Sequence, residues 1–184
     1  MKIWQSQHVF DHPWEMISQA AWRKYPNPNN ANIVAIDVLD RRLSLEGGLT
    51  TDRLFTTKFA FPKWISPFIP LSEFCYSTER STVNPAARSM VLEARNLSLG
   101  SVITVEERLE YTPHPADSTK TLLTQQAIIT VNGLPLVGRI ETAMASTIAA
   151  NANKGRQAME WVVTTITAEA AELSRAFESL TTMA

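Results

Sequence analysis

Two hydrophobic periods divide this chain. Between residues 33 and 131 apolar and polar side chains alternate in a series of runs, whereas from Val137 to Leu180 the apolar ones recur at threes and fours. Alternation places successive side chains on opposite faces of a strand, and a three-four spacing places them along one stripe of a helix. The alternating runs fall at 33–40, 49–59, 73–83, 89–99, 101–111 and 121–131, and another lies at 3–10. Short connections join most of them, and parallel strands would need crossovers of a dozen or more residues. The expected fold class is therefore α+β: a seven-stranded antiparallel sheet, a short N-terminal helix and a long C-terminal helix, in one domain spanning 1–184.

Local signals fill in this frame. After the first strand, Asp11 is placed to cap a helix with Pro13 in its first turn, where a residue lacking an N–H is tolerated. Trp14, Ile17 and Ala21 give that helix one apolar face up to about Tyr25, and Pro26-Asn27-Pro28 ends it. Glu46-Gly47-Gly48 reads as a hairpin turn, and turns are also expected at Asn84-Pro85 and Gly100. The polar tract 112–119, with Pro113 and Pro115, reads as a surface excursion. The long helix, about 136–178, would be roughly 60 Å from end to end. One domain cannot cover such a length, so a break near Gly155 or a protruding, disordered C-terminal end is expected. Asn151 and Gly155 interrupt its apolar stripe, with Lys154 at the shoulder; small residues packing close on the sheet and a ligand contact are both open readings.

The stretch 61–71, Phe-Pro-Lys-Trp-Ile-Ser-Pro-Phe-Ile-Pro-Leu, fits neither helix nor central strand. Pro62, Pro67 and Pro70 each remove a backbone donor and fix φ. That leaves a loop, yet Trp64, Ile65, Phe68 and Ile69 gain nothing from water. The loop either fills the rim of the chain's own core or covers a cavity, a membrane or a partner. In the run 49–59, Arg53 shares a face with Phe55 and Phe59. An inward arginine needs an anion: a ligand, or an acid such as Glu79 or Glu106.

Composition excludes several functions. A formal net charge of −1 and a sequence pI near 6.3, without a basic run, argue against a nucleic-acid partner. The single cysteine, Cys75, cannot form an internal disulfide. No run of eighteen apolar residues is present, so membrane contact is expected to be peripheral. His8, His12 and His114 form no triad with a serine or the cysteine at a recognised spacing. Glu106 and Glu107, adjacent in a strand, face opposite ways and are no acid–base pair. No phosphate-binding glycine loop or metal-ligand spacing occurs, and the chain is not expected to be an enzyme or to need a cofactor. A sheet, a long helix and an apolar loop instead suggest a container for a ligand with acyl chains and a charged head.

Several motifs carry a resemblance. Lys2-Ile-Trp, His8-Val-Phe-Asp-His-Pro-Trp-Glu15, Lys24-Tyr-Pro-Asn-Pro28, Asp37-Val-Leu-Asp-Arg41, the run 123–131, Met144-Ala-Ser-Thr-Ile148 with Asn151, Lys154-Gly-Arg156 and Met159-Glu-Trp161 resemble the PRELI-like family, in its Slowmo branch, over about residues 1–165. The resemblance implies a START/PITP-like fold enclosing a lipid pocket. It also implies a phospholipid carrier of the mitochondrial intermembrane space, working between outer and inner membranes with a small helical twin Cys-x9-Cys partner. Carried over by position, Lys24, Arg53, Thr57, Asn151 and Lys154 face the lipid head group. Pro62, Lys63, Trp64, Ile65, Pro67, Phe68 and Ile69 belong to a lid that touches the membrane. Members that carry phosphatidic acid have lysines where this chain has Thr57 and Thr147, so the resemblance favours phosphatidylserine as cargo. A phosphatidic acid carrier and a lipid-binding scaffold or sensor are the alternatives.

Overall fold

The computed structural model of the protein describes residues 1–58, 63–69 and 72–182. These form seven strands: β1 (Lys2–Phe10), β2 (Ile33–Leu43), β3 (Leu49–Lys58), β4 (Phe74–Asn84), β5 (Ser89–Asn96), β6 (Ile103–His114) and β7 (Asp117–Val131). Two α-helices accompany them, α1 (Trp14–Trp22) and α2 (Val137–Thr182). All strands join one sheet in the order β1-β7-β6-β5-β4-β3-β2, and every pairing is antiparallel. The meander expected from short connections is therefore the observed topology. Only β1 leaves it, pairing with the last strand and not with its neighbour in sequence.

The turns follow their chemistry. Gly47 takes φ +79° in the β2–β3 hairpin, a conformation that suits glycine, and Ser44 closes that turn through its backbone N–H to the Gly48 carbonyl. Three local expectations, the end of α1, its cap and the tract 112–119, differ from the structure. Helix α1 stops at Trp22, not near Tyr25, and Pro13 occupies its N-cap position without a side-chain cap. Asp11 turns instead to Lys120, 2.7 Å away, because the adjacent β7 strand offers a cation. The tract 112–119 is no excursion: β6 and β7 run on through it to a tight hairpin at Pro115 and Ala116, with a register shift at Pro113 and His114. The run 33–40 alternates without being buried, since β2 is an edge strand and Val34, Val38, Leu39 and Leu43 are exposed.

Helix α2 is continuous through Gly155 for 46 residues, about 70 Å at 1.5 Å per residue. Of the two expected alternatives, a break near Gly155 or a protruding end, the described residues show the second: the sheet and α1 support the helix only to about Ile166. Beyond that point its residues are exposed, Leu173 and Phe177 among them.

Two apolar clusters hold helix and sheet together. One joins Phe10, Trp14, Ile17 and Ala21 to Met90, Leu92, Tyr111 and Leu123 on the sheet and to Met159, Val162 and Val163 on α2. The other joins Ile103, Ala127, Ile129 and Val131 to Ile140, Met144, Ala145 and Ile148, with Ile65 and Ile69 from the segment 63–69. On α2 the clusters are anchored at Ile148 and Met159, roughly 16 Å apart along the axis. The stripe between them carries Asn151, Ala152, Gly155 and Arg156. Polar or small side chains there cannot fill the gap between helix and sheet.

Candidate functional site

The gap is a cavity. Its larger recess, about 240 Å³, lies between β3–β7, the α1 end and the middle of α2, and a second of about 190 Å³ adjoins it toward the N-terminal half of α2. Thr57, Ser77, Ala94, Glu107, Ile148 and Asn151 line both. Joined, they fall within the usual range of small-molecule pockets, roughly 300–1,000 Å³.

Strand register explains the floor. Arg53 lies opposite Glu79, Glu79 opposite Ala94, Ala94 opposite Glu107, and Glu107 opposite Ala127. This transverse row faces inward; Ala94 borders the open space beneath the helix, whereas Ala127 is buried in the second apolar cluster. Charge gathers around that space: Lys24, Arg53, Lys58 and Arg156 line the larger recess together with Glu79 and Glu107.

Arg53 is buried, and its NH2 donates to the Glu79 carboxylate. Its guanidinium lies between the Trp22 and Phe55 rings, 5.4 and 5.3 Å from their centroids. Of the two acids named for it, Glu79 is the partner; Glu106 points to the outer face, where Arg95 lies 3.6 Å away. Among the described residues no acceptor reaches Arg53 Nε, although that atom is buried. Leaving such a donor unmet costs about 1–3 kcal/mol, which a ligand oxygen could recover.

Lys24 enters the same recess beside Gly155. A Cβ on Gly155 would stand 3.1 Å from Lys24 Nζ, so a larger side chain there would push the ammonium aside. Burial disfavours the Lys24 charge, but Tyr111, Tyr25 and Glu79 around it outweigh that effect and hold its pKa above the usual lysine value. Burial pushes the Tyr111 hydroxyl up as well.

Glu107 is a half-buried acid on the cavity floor. Burial raises its pKa, opposed by a hydrogen bond from Gln125 Nε2, 3.2 Å from Oε2, and by the Lys24 charge, while Glu79 raises it further. A raised folded-state pKa gives a definite sign. Below the unfolded value both states hold the proton and nothing is lost; as pH rises from that value to the folded one the unfolded chain ionises first and stability falls, and above the folded value the penalty stays constant. Glu107→Gln is accordingly expected to raise the melting temperature by a few degrees at pH 7. Melting curves of the two proteins should converge near pH 4, about the ordinary glutamate range.

The other expected head-group residues separate. Thr57 lines both recesses and donates its hydroxyl to the Cys75 carbonyl at 3.2 Å. Asn151 also lines both. Lys154 does not line either recess: it is exposed on the shoulder of α2, and Arg156, one position past Gly155, presents the helix's cation to the cavity. Thr147 donates to the Ala143 carbonyl of its own helix at 3.0 Å and lines neither recess. Neither Glu107, read in the sequence only as no acid–base partner for Glu106, nor Gln125 is among the expected head-group residues. Parity carries the signal for both, since Glu107 shares a face with Ile103, Leu109 and Tyr111, and Gln125 with Thr121, Leu123 and Ala127.

The segment 63–69 is two-faced. A 3-10 turn at Ser66–Phe68 swings Ile65 and Ile69 into the core cluster, where both are buried, so these two do not present themselves to a membrane in this structure. Lys63, Pro67 and Phe68 are exposed, and the Arg139 guanidinium lies 4.5 Å from the centre of the half-buried Trp64 ring. Pro62, like Phe59, Phe61, Pro70 and Leu71, lies outside the described residues. Among the described residues no helix is long and apolar enough to cross a membrane.

Comparison with known proteins places this arrangement. The sequence profile of the PRELI-like family matches residues 15–169. The chain is 35% identical over 167 residues to Protein UPS2, mitochondrial, of Saccharomyces cerevisiae, covering 89% of this chain and 73% of that one. It is 40% identical over 129 residues to a UPS-like protein of Schizosaccharomyces pombe, covering 70% of each. It is 31% identical over 173 residues to the slowmo homolog of Dictyostelium discoideum, covering 94% of this chain and 75% of that one. Among solved structures the fold is similar to TTHA0849 from Thermus thermophilus (TM-score 0.58, 9% identity, covering 90% of this chain and 99% of that one). It is equally similar to the Zhui aromatase/cyclase from Streptomyces sp. R1128 (TM-score 0.58, 12% identity, 89% and 94%). These likenesses show a START-like fold.

Proposed function

The chain belongs to the PRELI-like family, and from that premise we propose that it is a phospholipid carrier of the mitochondrial intermembrane space, moving phosphatidylserine between the outer and inner membranes in complex with a small twin Cys-x9-Cys partner. One observation carries the reading. A cavity lined by four basic side chains lies between two apolar clusters, one of which is completed by the two-faced segment 63–69. A phosphate needs donors at the centre, and acyl chains need apolar walls that can part.

The mechanism uses those parts in order. Phe68, Pro67 and Lys63 meet the bilayer interface, the last adding about 1 kcal/mol of attraction at an anionic surface. Ile65 and Ile69 withdraw from their cluster, and the freed apolar wall accepts the acyl chains. Lys24, Arg53 and Arg156 draw in the phosphate, with Thr57 and Asn151 as polar neighbours. Closure restores the isoleucine contacts and detaches the loaded protein. Burial of each methylene supplies about 0.8 kcal/mol before ordering is subtracted.

Movement of fluorescent phosphatidylserine between vesicles tests the reading. The full chain with its partner should accelerate movement well above the partner alone. Gly155→Leu should cut that acceleration about tenfold or more, because its side chain takes the place of the Lys24 ammonium, worth about one charge-assisted hydrogen bond. Lipid that binds but never moves would instead make the protein a scaffold or sensor. Equal movement of phosphatidic acid and phosphatidylserine would remove the assignment of cargo.

A further inference from the structure

An acid at the centre of a phosphate-binding cavity is an anomaly if the cargo is simply an anion. Glu79 is accounted for by Arg53, which it faces across the β3–β4 pairing. Glu107 is not. Gln125 meets its Oε2, and among the described residues no donor meets Oε1. The residue lines both recesses, and it stands at their junction. In register it lies two strands from Glu79, with Ala94 between, so no side chain bulk separates its carboxylate from the space where a head group would sit.

We propose that Glu107, through this unmet oxygen, receives the ammonium of the cargo's head group and so selects aminophospholipids over phospholipids that carry phosphate alone. The assignment rests on the reading of the protein as a phospholipid carrier. Its chemistry is that of a divided site. Lys24 just past α1, Arg53 on β3 and Arg156 on α2 hold the phosphate, and the acid on β6 lies farther along the floor, where the rest of the head group must extend. A cation arriving there offsets the burial that otherwise disfavours the Glu107 charge. A phosphate monoester, with up to two negative charges and no ammonium, meets only repulsion from it. The same position thus favours one class of lipid and excludes another, which is how selectivity is commonly built.

The test alters the lipid before the protein. Donor vesicles of phosphatidylcholine contain equal amounts of phosphatidylserine, N-acetylated phosphatidylserine or phosphatidic acid, and transfer by the full chain is followed for each. Acetylation removes the ammonium and leaves the phosphate, so the native protein should favour phosphatidylserine over its acetylated form by about tenfold, the worth of one charge-assisted hydrogen bond. In Glu107→Gln the two should move within about twofold of one another on the same scale, and phosphatidic acid should gain. Equal movement of acetylated and free phosphatidylserine by the native protein overturns the assignment, as does a preference that Glu107→Gln leaves intact. Should the native protein transfer none of these lipids, the carrier reading falls by itself. Native mass spectrometry of bound lipid then decides Glu107 separately: equal retention of the two serine lipids overturns it and selective retention upholds it.

Discussion

Replacing Arg53 with alanine is expected to lower the unfolding free energy by about 3–5 kcal/mol, because it strands the Glu79 carboxylate in a buried site with its partner gone. The two side chains are only 9% and 14% exposed, so water cannot take over the role of the guanidinium. Stacking between Trp22 and Phe55 is lost as well. Chemical denaturation at pH 7 measures the effect, and a loss under about 1 kcal/mol, the range of exposed pairs, would mean that the ion pair is not structural. The double replacement Arg53→Met with Glu79→Leu separates structure from binding. Apolar side chains of similar volume often replace a buried pair without loss, so stability should return most of the way. Lipid extraction should not return, since the cavity then lacks the arginine whose Nε awaits an acceptor. Recovery of both would leave Lys24 and Arg156 as sufficient phosphate ligands.

How much of this was legible beforehand depends on the range over which each signal acts. The sheet and its antiparallel order follow from period and connection length, both local properties of the chain. The inward direction of Arg53 follows from parity alone, and β3 buries Thr51, Arg53 and Phe55 as that parity requires. The interruption of the α2 stripe at Asn151 and Gly155 marks the cavity itself: where apolar residues stop recurring on a helix laid over a sheet, no core is packed beneath. What escapes is whatever pairing across strands decides. Parity puts Glu107 inside, but only the register that sets Ala94 beside it shows that it borders open space. Lys154 and Arg156 are both basic and both flank Gly155, and the rotation of α2 about its axis chooses Arg156. Burial of an edge strand is likewise invisible to period, so β2 alternates like its neighbours yet stays exposed. The resemblance sets Lys154 at the head group, whereas in the structure it lines neither recess.

The segment 63–69 should divide into two kinds of residue when mutated. Ile65 is fully buried within the cluster of Ile103, Ile129, Ile140 and Ile148, so Ile65→Ala removes three methyl or methylene carbons from a packed site. Such truncations cost about 2–5 kcal/mol. Two effects determine what happens to function. The closed state loses that contact energy and the open state, with Ile65 already withdrawn, loses little, so the equilibrium between them shifts toward open by up to the same amount. Lipid should therefore exchange faster from the Ile65→Ala protein and be held less tightly, while global unfolding moves to lower denaturant. Phe68→Ser acts on the other face. That ring is 39% exposed and outside the cluster, so the change should alter stability by no more than about 0.5 kcal/mol, as surface substitutions do. It removes the largest exposed apolar group of the segment, and transfer between vesicles should slow because entry into the interface weakens, with lipid already bound retained as before. Denaturation curves and vesicle transfer, measured on both variants, give a crossed pattern if opening inward and membrane contact outward are separate functions of one loop. If Phe68→Ser unfolds as easily as Ile65→Ala, the segment is simply part of the core rim and the carrier must open elsewhere.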